Sequence, residues 1–133
     1  MEIDIEALYQ LALQAFNNAY SPYSKFKVGA SILSNGQMYK GCNIENAAYP
    51  MSQCAEATAI GNMVTSGHNK IEAVLIVSDT PDNIWPCGGC LQKISEFCLP
   101  STVVISSTLD GKRQQVKFSE LYPQQFNSKD LRA

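Results

Sequence analysis

At 133 residues, with 45% hydrophobic and 17% charged residues, the chain has the length and composition for one domain built around its own core, and a second domain is not expected. A formal net charge of -2 excludes a general binder of phosphate backbones, which needs a basic face to displace counterions, so the expected partner is a small or neutral molecule and not a nucleic acid. The opening Met1-Glu2-Ile3-Asp4 lacks the basic-then-apolar layout of a signal peptide, and the aliphatic run at residues 73–77 is far too short for a bilayer. No membrane partner is expected, and a cytoplasmic location is.

The first element predicted is a helix over residues 5–19, where Ile5, Leu8, Ala12, Ala15, Phe16 and Ala19 recur at three- and four-residue intervals and form one apolar stripe. Tyr20-Ser21-Pro22-Tyr23-Ser24 is turn chemistry. Strands over 27–33 and 37–43 flank Ser34-Asn35-Gly36, whose tolerance of left-handed backbone suits a hairpin. After a loop at 44–51, residues 54–65 are rich in helix formers and stop at Gly67. The continuous apolar run 73–77 reads as a strand covered on both faces and therefore central. Residues 79–86 form a loop, and Leu91, Ile94, Phe97 and Cys98 mark a second short helix that Pro100 stops. Strands 102–106 and 114–118 pair across Asp110-Gly111, a short helix follows, and 127–133 is expected to be a loose tail. This order implies a single α/β domain over 1–133, a three-layer α/β/α arrangement with a mixed five-stranded sheet.

Five cysteines without a secretory segment point to reduced thiols available to a metal, and the odd number agrees. Cys42 and Cys98 lie in apolar stretches and read as small core residues. Cys54 is different, because it stands two residues before Glu56 at the start of a helix. Pro86-Cys87-Gly88-Gly89-Cys90 then offers two more thiols at a spacing that lets both reach one ion, again where a helix begins. Three thiolates from Cys54, Cys87 and Cys90 leave the fourth corner of a tetrahedral zinc for water, which distinguishes a catalytic site from a closed structural one. Zinc lowers the pKa of such a water to about 7, and Glu56 is placed to move its proton. One alternative is a four-ligand structural site completed by Cys42, Cys98 or His68, which leaves Glu56 without a task. Another is a thioredoxin-like redox pair in Trp85-Pro86-Cys87-Gly88-Gly89-Cys90, which needs neither Cys54 nor Glu56.

Cys54-Ala55-Glu56 followed by Pro86-Cys87-Gly88-Gly89-Cys90 resembles the three-cysteine signature of zinc deaminases. With Tyr23-Ser24-Lys25-Phe26, Val28-Gly29-Ala30, Gly41-Cys42-Asn43-Ile44-Glu45-Asn46-Ala47, Asp79-Thr80-Pro81 and Glu120-Leu121-Tyr122-Pro123, the chain looks like the small homotetrameric cytidine deaminases over nearly its whole length. The resemblance implies one zinc per chain and hydrolysis of the 4-amino group of cytidine or deoxycytidine to the uridine product and ammonia. A related deaminase of a modified cytidine or another aminopyrimidine is the alternative. It further implies Glu56 as the proton shuttle, Asn43 and Glu45 on the ribose hydroxyls, the Ala55 backbone at the pyrimidine edge and Phe26 against the base. Tyr49 and Phe126 match positions at a pocket completed by neighbouring subunits of a homotetramer. From residue type alone, Phe26, Tyr49 and Phe126 read as packing aromatics, and Asn43 and Glu45 as solvated strand-end residues. The chain departs from the pattern at Ala57 and Leu91, where many members carry Arg, and at Lys27, where Pro is common. Those changes leave the charge balance around three thiolates and Glu56 to the two helix N-termini, or to Lys25 or Lys27.

Overall fold

The computed structural model describes residues 2–131. Asp4 opens the first helix by accepting a 3.0 Å hydrogen bond from the Ala7 N–H, and α1 (Ile5–Asn17) buries Leu8, Ala12, Ala15 and Phe16 of the predicted stripe and Tyr9 besides, while Ala19 lies beyond its end. The strand β1 (Val28–Ser34) is buried at every position, and β2 (Gln37–Cys42) returns beside it. Their hairpin turns on Asn35 at φ 53° and Gly36 at φ 78°, the paired positive values that match the twist of the flanking strands.

The remaining elements are α2 (Ala55–Thr65), β3 (Ile71–Ser78), α3 (Gly88–Ser95), β4 (Cys98–Thr108), β5 (Arg113–Lys117) and α4 (Phe118–Leu121). The sheet order is β2-β1-β3-β4-β5, with β3 and β4 parallel and the other pairs antiparallel. The sheet is therefore mixed, and β3, the apolar run, is its central strand. α1 covers one face, where Leu8, Ala12 and Phe16 pack with Leu33, Leu75, Val77 and Ile105. The other face carries α2, α3 and α4, which bury Ala59, Met63, Ile94 and Phe118 against Ile32, Val74, Ile76 and Val104. The three-layer arrangement follows from these two cores.

Two glycines permit helix and sheet to approach closely. A Cβ at Gly29 would lie 2.1 Å from the Ala12 carbonyl oxygen of α1, and one at Gly41 would lie 2.3 Å from the Ala59 nitrogen of α2. Register brings the start of β1 together with the ends of β2, β3 and β4, since Val28 pairs with Ser78, Gly29 with Cys42 and Ser78 with Thr108. The loops into α2 and α3 meet at that edge.

Several expected boundaries move. The second cysteine-bearing helix ends at Ser95, so Phe97 and Cys98 lie outside it, and Pro100 stands within β4 instead of stopping a helix. The β3–β4 ladder breaks between Ile71↔Cys98 and Ala73↔Val103, which leaves Pro100 in an irregular stretch where its missing N–H interrupts nothing. Thr102 secures that irregularity, donating to the Ile71 carbonyl at 2.5 Å and accepting from the Leu99 N–H at 2.7 Å. Cys42 and Cys98 are only half-buried, because Cys42 ends an edge strand and Cys98 sits at the start of the irregular stretch, where it packs against the margin of the core. Phe118 begins α4 instead of ending a strand. Tyr49–Met51 forms a 3-10 turn within the predicted loop. In the expected loose tail, Ser128–Leu131 is a further exposed 3-10 turn, and residues 132–133 of that tail lie outside the described residues.

Candidate functional site

The two helices begin at cysteines: Cys54 is the N-cap of α2 and Cys87 the N-cap of α3, while Cys90 lies in the first turn of α3. Both cysteine N-caps have extended backbone, which turns the chain into the helix. The Sγ atoms of Cys54, Cys87 and Cys90 all lie within 4.8 Å of one another, and Cys54 and Cys87 are 3.9 Å apart. A tetrahedral zinc with Zn–S bonds of about 2.3 Å sets its sulfurs about 3.8 Å apart, so this cluster fits one such ion. Neither Cys42, Cys98 nor His68 joins this group of three among the described residues, and His68 instead bonds the Tyr39 hydroxyl at 2.5 Å.

The electrostatics call for a cation. Burial pushes the Cys90 thiol far up, and the charges of Glu56, Cys54 and Cys87 add to that shift. Burial also raises Cys54. Cys87 moves the other way, because the Cys90 backbone N–H donates to its sulfur and favours the thiolate. Glu56 is 5% exposed, and burial raises its carboxyl above the ordinary range. The Cys54 and Cys90 thiols and the Glu56 carboxyl favour their neutral forms, a bias that a divalent cation among the sulfurs reverses.

Beside the sulfurs lies a cavity of about 230 Å³ walled by Phe26, Val28, Asn43, Ala55, Ile84 and Trp85, with Cys54, Glu56 and Cys87 completing its lining. Its mixture of aromatic and aliphatic walls with a few polar groups suits a small planar ligand. None of these lining residues is Lys or Arg. Ala57 and Leu91 are half-buried, while Lys25 and Lys27 line a separate cavity with Ala19, Tyr20, Ser21 and Pro22.

Asn43 and Glu45 are organised by the segment that leads to Phe26. The Asn43 side chain accepts from the Val28 N–H at 2.9 Å and donates to the Phe26 carbonyl at 2.8 Å. Glu45 Oε1 accepts from the backbone N–H groups of Tyr23 and Ser24 at 3.0 and 3.1 Å, while Oε2 accepts from the Ser24 hydroxyl. The Ser24 bonds hold the Glu45 carboxyl below its usual range. Glu45 faces a second cavity, with Tyr23, Ser24, Tyr49 and Ser52. Tyr49 and Phe126 are 71% and 54% exposed and do not line the cavity beside the sulfurs, so this chain's own fold does not bring them to Glu56.

Sequence reasoning passed over Val28, Ile84 and Trp85 as cavity walls. Trp85 carried a usable signal, since it stands two residues before Cys87. Ile84 and Val28 carried none, because an aliphatic residue in a loop or at a strand start is ordinary.

The family profile of the cytidine and deoxycytidylate deaminase zinc-binding region matches residues 2–106. The chain is 42% identical over 130 residues to a cytidine deaminase of Sporosarcina psychrophila, an alignment covering 97% of this chain and 96% of that protein. It is 39% identical over 130 residues to a cytidine deaminase of Halalkalibacterium halodurans, covering 97% and 98% of the two chains. The crystal structure of cytidine deaminase from Burkholderia pseudomallei superposes with a TM-score of 0.88 at 35% identity, over 93% of this chain and all of that one. The chain belongs to the cytidine and deoxycytidylate deaminase family, a family of zinc hydrolases, and its mixed five-stranded sheet is the fold of that family's structures.

Proposed function

We propose that the protein removes the 4-amino group of cytidine or deoxycytidine by hydrolysis, consuming one water and releasing ammonia and the corresponding uridine. The observation that carries this reading is the junction of three clustered sulfurs, a buried Glu56 and a cavity of about 230 Å³ at one sheet edge. Similarity to cytidine deaminases over 97% of the chain favours cytidine over a modified or unrelated aminopyrimidine.

In this reading Cys54, Cys87 and Cys90 hold one zinc. When bound, the ion supplies Lewis acidity that makes a water nucleophilic near neutral pH. Glu56 takes the proton of the attacking water, carries it to the ring N3 and later delivers a proton to the departing amine. Burial raises the carboxyl's affinity for a proton, which strengthens it as the acceptor of the water's proton. Phe26 lies against the base, and the Ala55 backbone meets the pyrimidine edge at the start of α2. Asn43 and Glu45 take the ribose hydroxyls, because Asn43 lines the cavity beside the sulfurs and Glu45, two residues on, lines the second cavity. Exposed Tyr49 and Phe126 reach pockets of neighbouring subunits in a homotetramer.

Residues 1–133 act as one domain in this scheme, in the cytoplasm and in pyrimidine salvage. No helix among the described residues is long and apolar enough to cross a membrane. The test is to follow cytidine absorbance and ammonia release with protein whose zinc has been quantified. Stoichiometric ammonia from a preparation holding about one zinc per chain is expected, and zinc-loaded protein that releases none overturns the reading.

A further inference from the structure

Ser24 lies in the outer cavity, and its single oxygen works in two directions. Its hydroxyl donates to Glu45 Oε2, and the same oxygen accepts from the Phe26 N–H at 3.0 Å. The Ser24 backbone N–H donates to Glu45 Oε1, so serine holds both oxygens of that carboxylate at once. Phe26 is secured at its other end, where its carbonyl accepts from Asn43. Between them stands Lys25 at φ 62°, a left-handed conformation that a lysine adopts only where its neighbours enforce it. The segment is thus a strained turn wrapped on one carboxylate and one amide, and the residue it delivers into the inner cavity is Phe26.

The geometry points to Ser24 as a positioning residue that couples the sugar end of the site to its base end. A carboxylate oxygen has two acceptor directions, and Glu45 already spends three of its four on the Tyr23–Ser24 turn. One direction on Oε2 remains for a ligand hydroxyl, and the Ser24 hydroxyl determines which way it faces. A ligand that donates to Oε2 meets a carboxylate already fixed and ionised. The same serine oxygen holds the backbone of the residue walling the base. Recognition of the sugar and placement of the Phe26 wall therefore share one atom, and losing it loosens both. This inference rests on the proposed roles of Glu45 and Phe26, and it assigns Ser24 no part in proton transfer.

The experiment uses the zinc-loaded full chain with cytidine and with 2′,3′-dideoxycytidine, comparing Ser24→Ala, Ser24→Thr, Glu45→Gln and the double variant Ser24→Ala/Glu45→Gln. One hydrogen bond to a charged group predicts that Ser24→Ala raises KM for cytidine about tenfold while kcat stays within about threefold. The loss in kcat/KM should be at least about threefold smaller with the dideoxy nucleoside, and the double variant should lose less than the product of the two single losses. Ser24→Thr, which keeps the hydroxyl, should recover most of the loss. Zinc content and circular dichroism matching the parent show that the variants are folded. Equal losses on both nucleosides, or full additivity with Glu45→Gln, would reduce Ser24 to loop packing and overturn the coupling. An unchanged KM in Ser24→Ala would overturn it too. The underlying reading fails separately, if Glu45→Gln itself loses as much on the dideoxy nucleoside as on cytidine.

Discussion

The two faces of the sheet are built from the same strands to different ends. On the α1 face, Leu8, Ala12 and Phe16 close over Leu33, Leu75, Val77 and Ile105, and Ser31, fully buried there, is satisfied by donating to the Leu8 carbonyl at 2.7 Å. The opposite face begins as an equally apolar core but runs at one edge into Glu56 and Cys90, which are buried beside a cavity. Burial that stabilises Leu8 works against the charged forms of Glu56 and Cys90. The difference shows where stability is surrendered. One face supplies packing free energy, and the other uses it to hold titratable groups where water alone would not keep them.

Substitutions that tell the faces apart should differ in kind as well as size. Glu56→Gln keeps the shape of the side chain and removes its ability to accept a proton, so turnover should fall about 100- to 10000-fold with zinc content and thermal midpoint unchanged. Steady-state assay beside metal analysis checks this, and a variant with more than about a tenth of parental turnover removes Glu56 from the proposed role. Leu8→Ala on the α1 face should do the reverse. It should cost about 2–5 kcal/mol of stability in denaturant titration, while kcat per folded molecule stays level, because Leu8 is not among the residues that line the cavity.

Gly41→Ala should blur the contrast. Its new Cβ would meet backbone atoms of α2, at 2.3 Å from the Ala59 nitrogen and 2.7 Å from the Ala55 carbonyl oxygen, and backbone cannot rotate away. A loss of about 1–3 kcal/mol is expected together with weaker zinc retention, since the helix that must shift begins at Cys54. Competition with a chelator separates the two effects, and normal zinc retention would mean that α2 moves without disturbing its first turn.

The smallest effect lies at the surface, at the exposed Glu6. Arg113 places its guanidinium 4.4 Å from the Tyr9 ring centroid and bonds Glu6 at 3.1 Å, joining β5 to α1. Bonds from Gln10 and Arg113 hold the exposed Glu6 carboxyl below its usual range. A depressed carboxyl stabilises the fold above its unfolded pKa, and that contribution disappears as pH falls through the folded value. Glu6→Gln should therefore lower the thermal midpoint slightly at neutral pH, and the difference from the parent should shrink at acid pH, below the ordinary carboxylate range. A difference of the same size at both pH values would mean that the effect is not ionic.

Much of this was legible in the residues themselves. Periodicity identified α1, the Asn35-Gly36 and Asp110-Gly111 pairs marked both hairpins, and the run at 73–77 is the central strand, since a strand covered on both faces has no reason to alternate. The spacing of Cys54, Glu56, Cys87 and Cys90 identified one site, because metal ligation restricts residue type as packing does not. The end of α3 was misread for a physical reason. Proline usually stops a helix, and the alternative, an irregular stretch of strand secured by Thr102 to the Ile71 carbonyl, depends on a partner 31 residues away.

What the sequence by itself determined was the order of elements and the chemistry carried at two helix starts, both written in local pattern. Only the tertiary structure decided that Val28 and Ile84 wall the cavity, that Tyr49 and Phe126 face outward, and that Ser24 joins Glu45 to Phe26. Those facts rest on contacts between segments distant along the chain. Aliphatic, aromatic and hydroxyl side chains carry no mark of their destination, because burial and hydrogen bonding accept many partners where a metal accepts few.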